Sequence, residues 1–480
     1  MRVARAQRPP WDVPSGRDSC GTMKWDQQVL ECSGPLVLSS SPAPVADSRG
    51  VTADKRQVRA WLAYDWANSA WAMTVAVAVL PVYFAGTVVP KGGVEVLGFR
   101  VDATVLWGYV NSASTLAVFL TAPILGAIAD RLGARRALLS AFGVAGGLLT
   151  MLLGFCGRGD VATTLWLYAL SQFAFVSANV FYDSFLPHLA KEEELDRLSA
   201  RGFAVGYVGG SLHFVLALVL MATHARWGLS AETAARIALS SAGLWWAGFG
   251  MVTFLGLREP ERTGERAGLF RAVREGVADT LATTRRVAKV KPVLLFLLAF
   301  VLYNDGVQTV IKMASLYGTE EVGVGMPLMM GTLLGIQLLA MVGALLFARL
   351  AGVWGAKRAL QLAVSLWLVA VGWAYVLTTP AGFVVLAALA GLVLGAVQAL
   401  SRSLFAAMIP REASAELFGF FSVFNKLAGV LGTFLFATVR QATGTSRLAI
   451  LSVAVLFVAG FLLLARVDEE EAKRRRDELR

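Results

Sequence analysis

Long hydrophobic stretches separated by short polar segments dominate this 480-residue chain. Twelve stretches approach the roughly 20 apolar residues that a helix needs to cross a bilayer. Their predicted positions are residues 61–84, 105–129, 136–156, 162–186, 203–224, 235–257, 293–316, 328–349, 358–378, 382–402, 418–439 and 447–466. No cleavable signal peptide is expected, since no apolar run follows the first arginines. The pattern therefore predicts an all-α polytopic membrane protein.

A short polar loop, GAIADRLGARRALL over residues 126–139, has a degraded copy later in the chain, FARLAGVWGAKRALQL from Phe347. Arg135 and Arg136 align with Lys357 and Arg358 at an offset of 222 residues (357 − 135). Internal repetition of membrane spans is typical of secondary transporters. Together with one long polar segment after the sixth span, the repeat predicts two pseudo-repeated six-helix bundles.

Five segments follow from this pattern. They are a disordered tail over 1–55, a six-helix bundle over 56–257, a basic linker over 258–292, a second bundle over 293–467 and a charged tail over 468–480. In the linker, apolar residues recur at four-residue steps among arginines: Leu269, Val273, Val277 and Leu281. This spacing favours a helix on an anionic membrane surface, and a solvated linker is the alternative.

The charge distribution indicates which side of the membrane each loop faces. Only 16% of residues are charged, against about 25% in soluble domains. The formal net charge of +11 comes from basic residues in alternate loops, as the positive-inside rule expects, so nucleic-acid binding is excluded. The rule places both termini and the linker in the cytoplasm, with a bacterial inner membrane as the default location.

Other classes of site lack a signature. Cys20, Cys32 and Cys156 have no metal-ligand spacing and no disulfide framework. The sequence carries no P-loop, so ATP-driven transport by this chain alone is not expected. No metal and no cofactor are predicted, and a monomer is expected.

Polar residues inside the spans are candidates for function, because an ionisable group is costly in a bilayer. In span 1, Asp65 and Asn68 share a helix face. In span 4, Asn179 and Asp183 do the same. Since the two spans run in opposite directions, Asp65 and Asp183 are predicted to lie at similar depth.

Span 7 carries a polar stripe near the bilayer midplane, formed by Asn304, Gln308 and Lys312 with Asp305 at its edge. Asn304 is about 17 Å from the start of the span at helical rise. Gly306 is expected to loosen the helix beside Asp305.

Two later spans add further polar residues. Gln398 and Arg402 end span 10, and Asn425 and Lys426 lie about 13 Å inside span 11. Acids in the first half thus face mostly bases in the second, which suits a zwitterionic or carboxylate-bearing solute and an acid that carries a proton. A structural or gating bridge between Asp183 and Arg402 is the open alternative.

The first loop resembles the signature between helices 2 and 3 of the major facilitator superfamily, through residues Gly126, Asp130, Arg131, Gly133, Arg135 and Arg136. At a helix C-terminus the dipole disfavours the Asp130 anion, which therefore needs a partner. The resemblance implies a latch from this acid to the arginines and to the start of helix 11, stabilising an outward-open state. Ala134 replaces the usual basic residue, and the second copy lacks the acid, so only the first latch is expected to work.

Four further motifs resemble the vacuole effluxer-type family. They are Tyr64-Asp65-Trp66-Ala67-Asn68-Ser69, Phe181-Tyr182-Asp183-Ser184-Phe185-Leu186-Pro187, Ser199-Ala200-Arg201-Gly202-Phe203-Ala204 and Tyr207-Val208-Gly209-Gly210. Fungal members of that family export amino acids from the vacuole. The resemblance implies a permease for small solutes, such as amino acids, driven by an ion gradient.

The sequence therefore predicts a secondary transporter that works by alternating access, with spans 1, 4, 7 and 10 lining its cavity. Lys312 and Lys426 are predicted to bind a substrate carboxylate, and Asp65 or Asp305 to take a proton or the amino group. Transport of lipid-like or drug-like amphiphiles is the alternative. A membrane-embedded enzyme is disfavoured by three scattered histidines, and a sensor by the lack of an added soluble domain.

Overall fold

Long α-helices make up most of the computed structural model, which describes residues 54–96, 98–260, 280 and 282–479. Helix α1 spans Lys55–Val88 and changes from α- to π-helical hydrogen bonding over Trp71–Val79. The other helices are α2 Ala103–Leu132, α3 Arg135–Leu153, α4 Val161–Ser184, α5 Leu195–Thr223, α6 Ala231–Gly256, α7 Lys291–Glu320, α8 Met326–Trp354, α9 Ala356–Val376, α10 Pro380–Met408, α11 Ser414–Leu427, α12 Leu431–Thr443, α13 Ser446–Ser452, α14 Ala454–Ala465 and α15 Glu469–Arg474. A small hairpin of β1, Val94–Val96, and β2, Phe99–Val101, connects α1 to α2.

Within the described residues, eleven helices are long and apolar enough to cross a membrane. The predicted eleventh span, 418–439, is not one continuous helix: it is broken into α11 and α12. Gly429 lies at the break with φ of 87°, a left-handed conformation that glycine adopts without steric cost. The broken pair takes the place of the predicted eleventh span and, with the eleven long helices, accounts for the twelve predicted spans.

Each half packs mainly through contacts among its own helices, and many of these helices are distant in the sequence. In its first half, α1 packs against α5 and α6, and α3 packs against α4 and α6. In its second half, α7 packs against α14, and α10 packs against α8 and α9. The halves meet where α2 packs against α11 and where α5 packs against α8 and α10. Helices from both halves therefore surround the centre of the bundle.

The two ends of the bundle differ. We call the end with the α2–α3 loop at Gly133 the basic end, and the opposite end the hairpin end, since it carries β1 and β2. At the basic end, Lys473 of α15 pairs with Glu192 before α5 at 2.8 Å, which joins the C-terminal segment to the first half. Residues 1–53 of the predicted tail (1–55) and residues 261–279 and 281 of the predicted linker (258–292) lie outside the described residues. The segment boundaries stay a prediction.

Candidate functional site

A cavity of about 400 Å³ lies between the two halves of the chain. Its walls come from α1, α4 and α5 in the first half and from α7, α8, α10 and α11 in the second. Seven of the residues predicted from the sequence line it: Asp65, Asn68, Asn179, Asp183, Gln398, Arg402 and Asn425. The cavity therefore exposes polar groups from both halves of the chain to one space.

Arg402 of α10 brings the two first-half acids together. Its Nη1 lies 3.1 Å from Asp183 Oδ1 and 3.7 Å from Asp65 Oδ2. The Tyr182 hydroxyl donates a hydrogen bond to Asp65 Oδ2 at 2.6 Å. Only 4% of the Arg402 side chain is exposed, against 11% for Asp65 and 21% for Asp183. With all three groups ionised, the cluster carries one negative charge in excess.

Hydrogen bonds and aromatic rings hold the Arg402 guanidinium in place. Its Nε donates to the Ser199 hydroxyl at 3.0 Å, and its Nη2 donates to the Ser199 carbonyl oxygen at 2.8 Å. The guanidinium carbon also lies 4.1 Å from the centre of the Phe203 ring and 5.1 Å from that of Trp61. An arginine whose guanidinium stacks on rings and donates several hydrogen bonds keeps its charge in a fixed position.

Amide side chains form three further polar contacts around the cavity. Asn68 donates to Asn179 Oδ1 at 2.7 Å within the first half. Asn304 of α7 donates to Asn425 Oδ1 of α11 at 2.8 Å. The Tyr207 hydroxyl donates to Gln398 Oε1 at 2.6 Å, which joins α5 to α10 across the halves.

The remaining predicted residues of α7 lie at the break between α11 and α12. Asp305 is 1% exposed, and its carboxylate accepts hydrogen bonds from the backbone N–H groups of Leu431 at 3.1 Å and Gly432 at 2.8 Å. Asp305 thus caps the start of α12. Gln308 and Lys312 approach Gly429, since a Cβ placed there would lie 3.2 Å from Gln308 Cβ and 2.6 Å from Lys312 Nζ.

Lys426 belongs to α11, next to the cavity residue Asn425, but its side chain lies outside the part of the chain that the structure describes. Asn425 itself lines the cavity.

At the basic end, hydrogen bonds connect the predicted loop, which follows α2, to the start of α11. Asp130 accepts a hydrogen bond from the Glu416 N–H at 3.0 Å and pairs with Arg135 Nε at 2.7 Å. The Arg135 Nη2 also donates to the carbonyl oxygens of Arg411 at 3.2 Å and Glu412 at 2.8 Å. These contacts stabilise the Asp130 anion, which the helix dipole disfavours at a helix C-terminus.

The other loop residues have structural neighbours of their own. Gly126 lies against the backbone of Ala415 and Glu416, so that an added Cβ would overlap both. Gly133 ends α2 in the left-handed conformation, with φ of 57°, and Arg131 lies in the last turn of that helix. Arg136 donates from its backbone N–H to Glu259 Oε2 at 2.8 Å.

Sequence reasoning did not single out Tyr182, Ser199, Tyr207 or Phe203 as site residues. All four stand inside the motifs that carry the family resemblance, beside or near Asp183, Arg201 and Gly209. Hydroxyls and aromatic rings are common in membrane helices, so these side chains give no signal of their own. Their position in those motifs was the available signal.

Several known proteins are similar to this chain in sequence. The family model described as "Vacuole effluxer Atg22 like" matches residues 53–477. YxiO of Bacillus subtilis, described as an MFS-type transporter, is 32% identical over 417 residues, which cover 86% of this chain and 95% of that protein. Autophagy-related protein 22 of Yarrowia lipolytica is 24% identical over 475 residues, which cover 80% and 79% of the two chains.

Solved structures match the fold at low sequence identity. The transporter FucP, described as a major facilitator superfamily transporter in the outward conformation, superposes with a TM-score of 0.65 at 12% identity and covers 86% of this chain and 98% of its own. The human organic anion transporter MFSD10 gives a TM-score of 0.65 at 17% identity, with 85% and 99% covered. These likenesses establish the helical arrangement of the major facilitator fold.

Proposed function

Because this chain belongs to the vacuole effluxer-like family of major facilitator transporters, we propose that it moves a small solute with an amino group, such as an amino acid, coupled to a proton. The chain is a multi-pass transporter of the MFS type and not an enzyme. The solute and the coupling ion are the proposed part.

The charge of the buried cluster carries the proposal. Asp65 and Asp183 face one guanidinium, that of Arg402, at 3.7 Å and 3.1 Å. A buried charge without compensation is costly, so the second carboxylate favours either a bound proton or a cationic group of the solute. An ammonium group and a proton would therefore compete for the same carboxylates, which is one physical basis for coupled transport.

The carboxylate of the solute needs its own partner. Lys312 is the first candidate and Lys426 the second, since they lie on the two helices that the Asn304–Asn425 hydrogen bond joins, and Asn425 lines the cavity. Arg402 is the less suitable partner, because its guanidinium is already occupied by Asp183 and by Ser199.

Transport in proteoliposomes tests the proposal. After a thermal-shift screen of the purified protein against amino acids, peptides, sugars and drugs, any stabilising solute is followed in two assays: uptake driven by a pH gradient and counterflow without one. We expect Asp65→Asn to abolish gradient-driven uptake while counterflow continues. Stabilisation by amphiphilic drugs alone would favour the alternative of amphiphile transport and overturn the amino-acid proposal.

Matched variants separate the roles of the acids and bases. Asp102→Asn makes the same chemical change at the start of α2, where the side chain forms no capping hydrogen bond, and should leave both assays unchanged. Lys312→Ala and Lys426→Ala should each weaken solute binding in counterflow. Normal counterflow in the double variant would rule out both lysines as carboxylate partners.

A further inference from the structure

A second pocket, of about 510 Å³, opens at the basic end between the start of α1 and the segment that joins α4 to α5. Five cationic side chains surround it, and Glu194 adds one acid: the cations are Lys55, Arg59, Lys191, Arg197 and Arg201. This basic pocket is separate from the cavity that contains Arg402. It plays no part in the proposed transport mechanism.

Within the residues that the structure describes, none of the five cations of the basic pocket forms an ion pair, and all five are exposed. Other arginines at the same end are paired, as Arg135 is with Asp130. Cations gathered around one concave space raise the local potential and favour a bound anion.

The position of the pocket points to a lipid as the source of that anion. Lys55 and Arg59 lie in the first turns of α1, and Arg197 and Arg201 lie in the first turns of α5, where these membrane helices begin. Charged side chains at such positions lie at the depth of the lipid headgroups. Arginine forks match phosphate oxygens with two parallel hydrogen bonds.

Apolar surface beside the pocket suits an acyl chain. Val58 is partly exposed among the cations of the basic pocket, whereas Leu198 is buried beneath them. A neighbouring pocket of about 580 Å³ shares Lys55 and Arg59 and is walled by Val252 and Leu255 of α6, which are 54% and 70% exposed. A phospholipid could place its phosphate among the cations and its chain along α6. A free phosphate ion would use only the first of these surfaces.

We propose that the basic pocket binds the phosphate-bearing headgroup of an anionic phospholipid. The headgroup connects three elements: the start of α1, which leads to Asp65, the start of α5, which carries Ser199, and the segment with Glu192, which Lys473 of the C-terminal helix contacts. Since Ser199 holds Arg402, a bound lipid stabilises the arrangement in which the halves are joined at the basic end.

Lipid titration of the full-length protein in detergent, followed by native mass spectrometry, tests this proposal. The pocket variant is R59Q/R197Q/R201Q. Its control is R349Q/R358Q/R466Q, which removes three exposed arginines at the basic end of the second half. Each cation near an anionic lipid contributes a factor of about five in affinity. We expect the pocket variant to bind phosphatidylglycerol about 100-fold more weakly than the parent, and the control variant to bind it normally.

Titrations with other compounds identify the ligand that the pocket binds. Phosphatidylcholine should bind weakly to every variant, and inorganic phosphate should not displace phosphatidylglycerol. Equal losses in the pocket and control variants would show diffuse attraction to the basic surface and overturn the proposal, as would unchanged binding in the pocket variant. Displacement by inorganic phosphate would assign the pocket to a free anion. If the triple variant fails to fold, R197Q alone should weaken binding about five-fold, and no change would overturn the proposal.

Discussion

Arg402 determines the electrostatic character of the cavity at the scale of single residues. Among the described residues that line the cavity it is the one base; it contacts two acids, and its own position depends on Ser199 and on the ring of Phe203. The sequence left open whether Asp183 and Arg402 form a structural or gating bridge or belong to a solute site. The two side chains form an ion pair across the halves, and the same pair lines the cavity. The bridge between the halves and the proposed solute site therefore share the same atoms.

Removing this arginine should destabilise the protein. Arg402→Ala leaves Asp65 and Asp183 largely buried without their base, and breaking a buried pair typically costs about 3–5 kcal/mol. We expect a lower midpoint of thermal unfolding in detergent, recovered in part by the double variant Arg402→Ala with Asp183→Asn, because that variant removes one uncompensated charge. A single variant as stable as the parent would contradict the ion-pair account.

The sequence predicted part of this cluster. Opposite directions of spans 1 and 4 placed Asp65 and Asp183 at similar depth, and both now lie within 4 Å of the Arg402 guanidinium. The contact of Arg402 with Ser199 could not be predicted, because it depends on how α5 packs against α10. Hydropathy and helical spacing describe one helix at a time and contain no information on that packing.

The break between α11 and α12 is the main departure at the scale of elements. The sequence predicted one continuous span and expected Gly306 to loosen span 7, but α7 is helical through Gly306. Gly429 stands in an apolar run, and glycine is frequent in membrane helices, so its left-handed conformation gave no signal. The cap of α12 comes from Asp305, which is distant in the sequence.

Substitutions of Asp305 distinguish a cap from a transport role. Asp305→Asn keeps one oxygen that can accept from the Gly432 N–H and loses the acceptor of the Leu431 N–H, whereas Asp305→Ala removes the whole cap and should cost about 1 kcal/mol. We expect Asp305→Ala to lower the unfolding midpoint more than Asp305→Asn does, and Asp305→Asn to keep gradient-driven uptake. A stable Asp305→Asn protein without uptake would instead place Asp305 on the proton pathway, the role that the sequence also allowed.

Contacts between the halves define the state of the whole molecule. Among the described residues, most of the hydrogen bonds and ion pairs that join the halves lie between the middle of the bundle and the basic end, including Asp130 with Glu416, Ser199 with Ala399 and Lys473 with Glu192. Toward the hairpin end, Gln337 approaches Met73. The molecule is thus closed at its basic end, and the loop predicted as a latch lies at the centre of that closure.

A change at Gly126 should open this end. The backbone of Ala415 leaves no room for a side chain at Gly126, so Gly126→Val forces α2 away from α11. We expect a cysteine at Ser422 in the cavity, introduced after replacement of Cys20, Cys32 and Cys156, to react faster with an impermeant thiol reagent applied from the basic side. Gly108→Val is the matched control, since it lies on the same helix with open space around it. Equal reactivity in the two variants would show that closure does not depend on this contact.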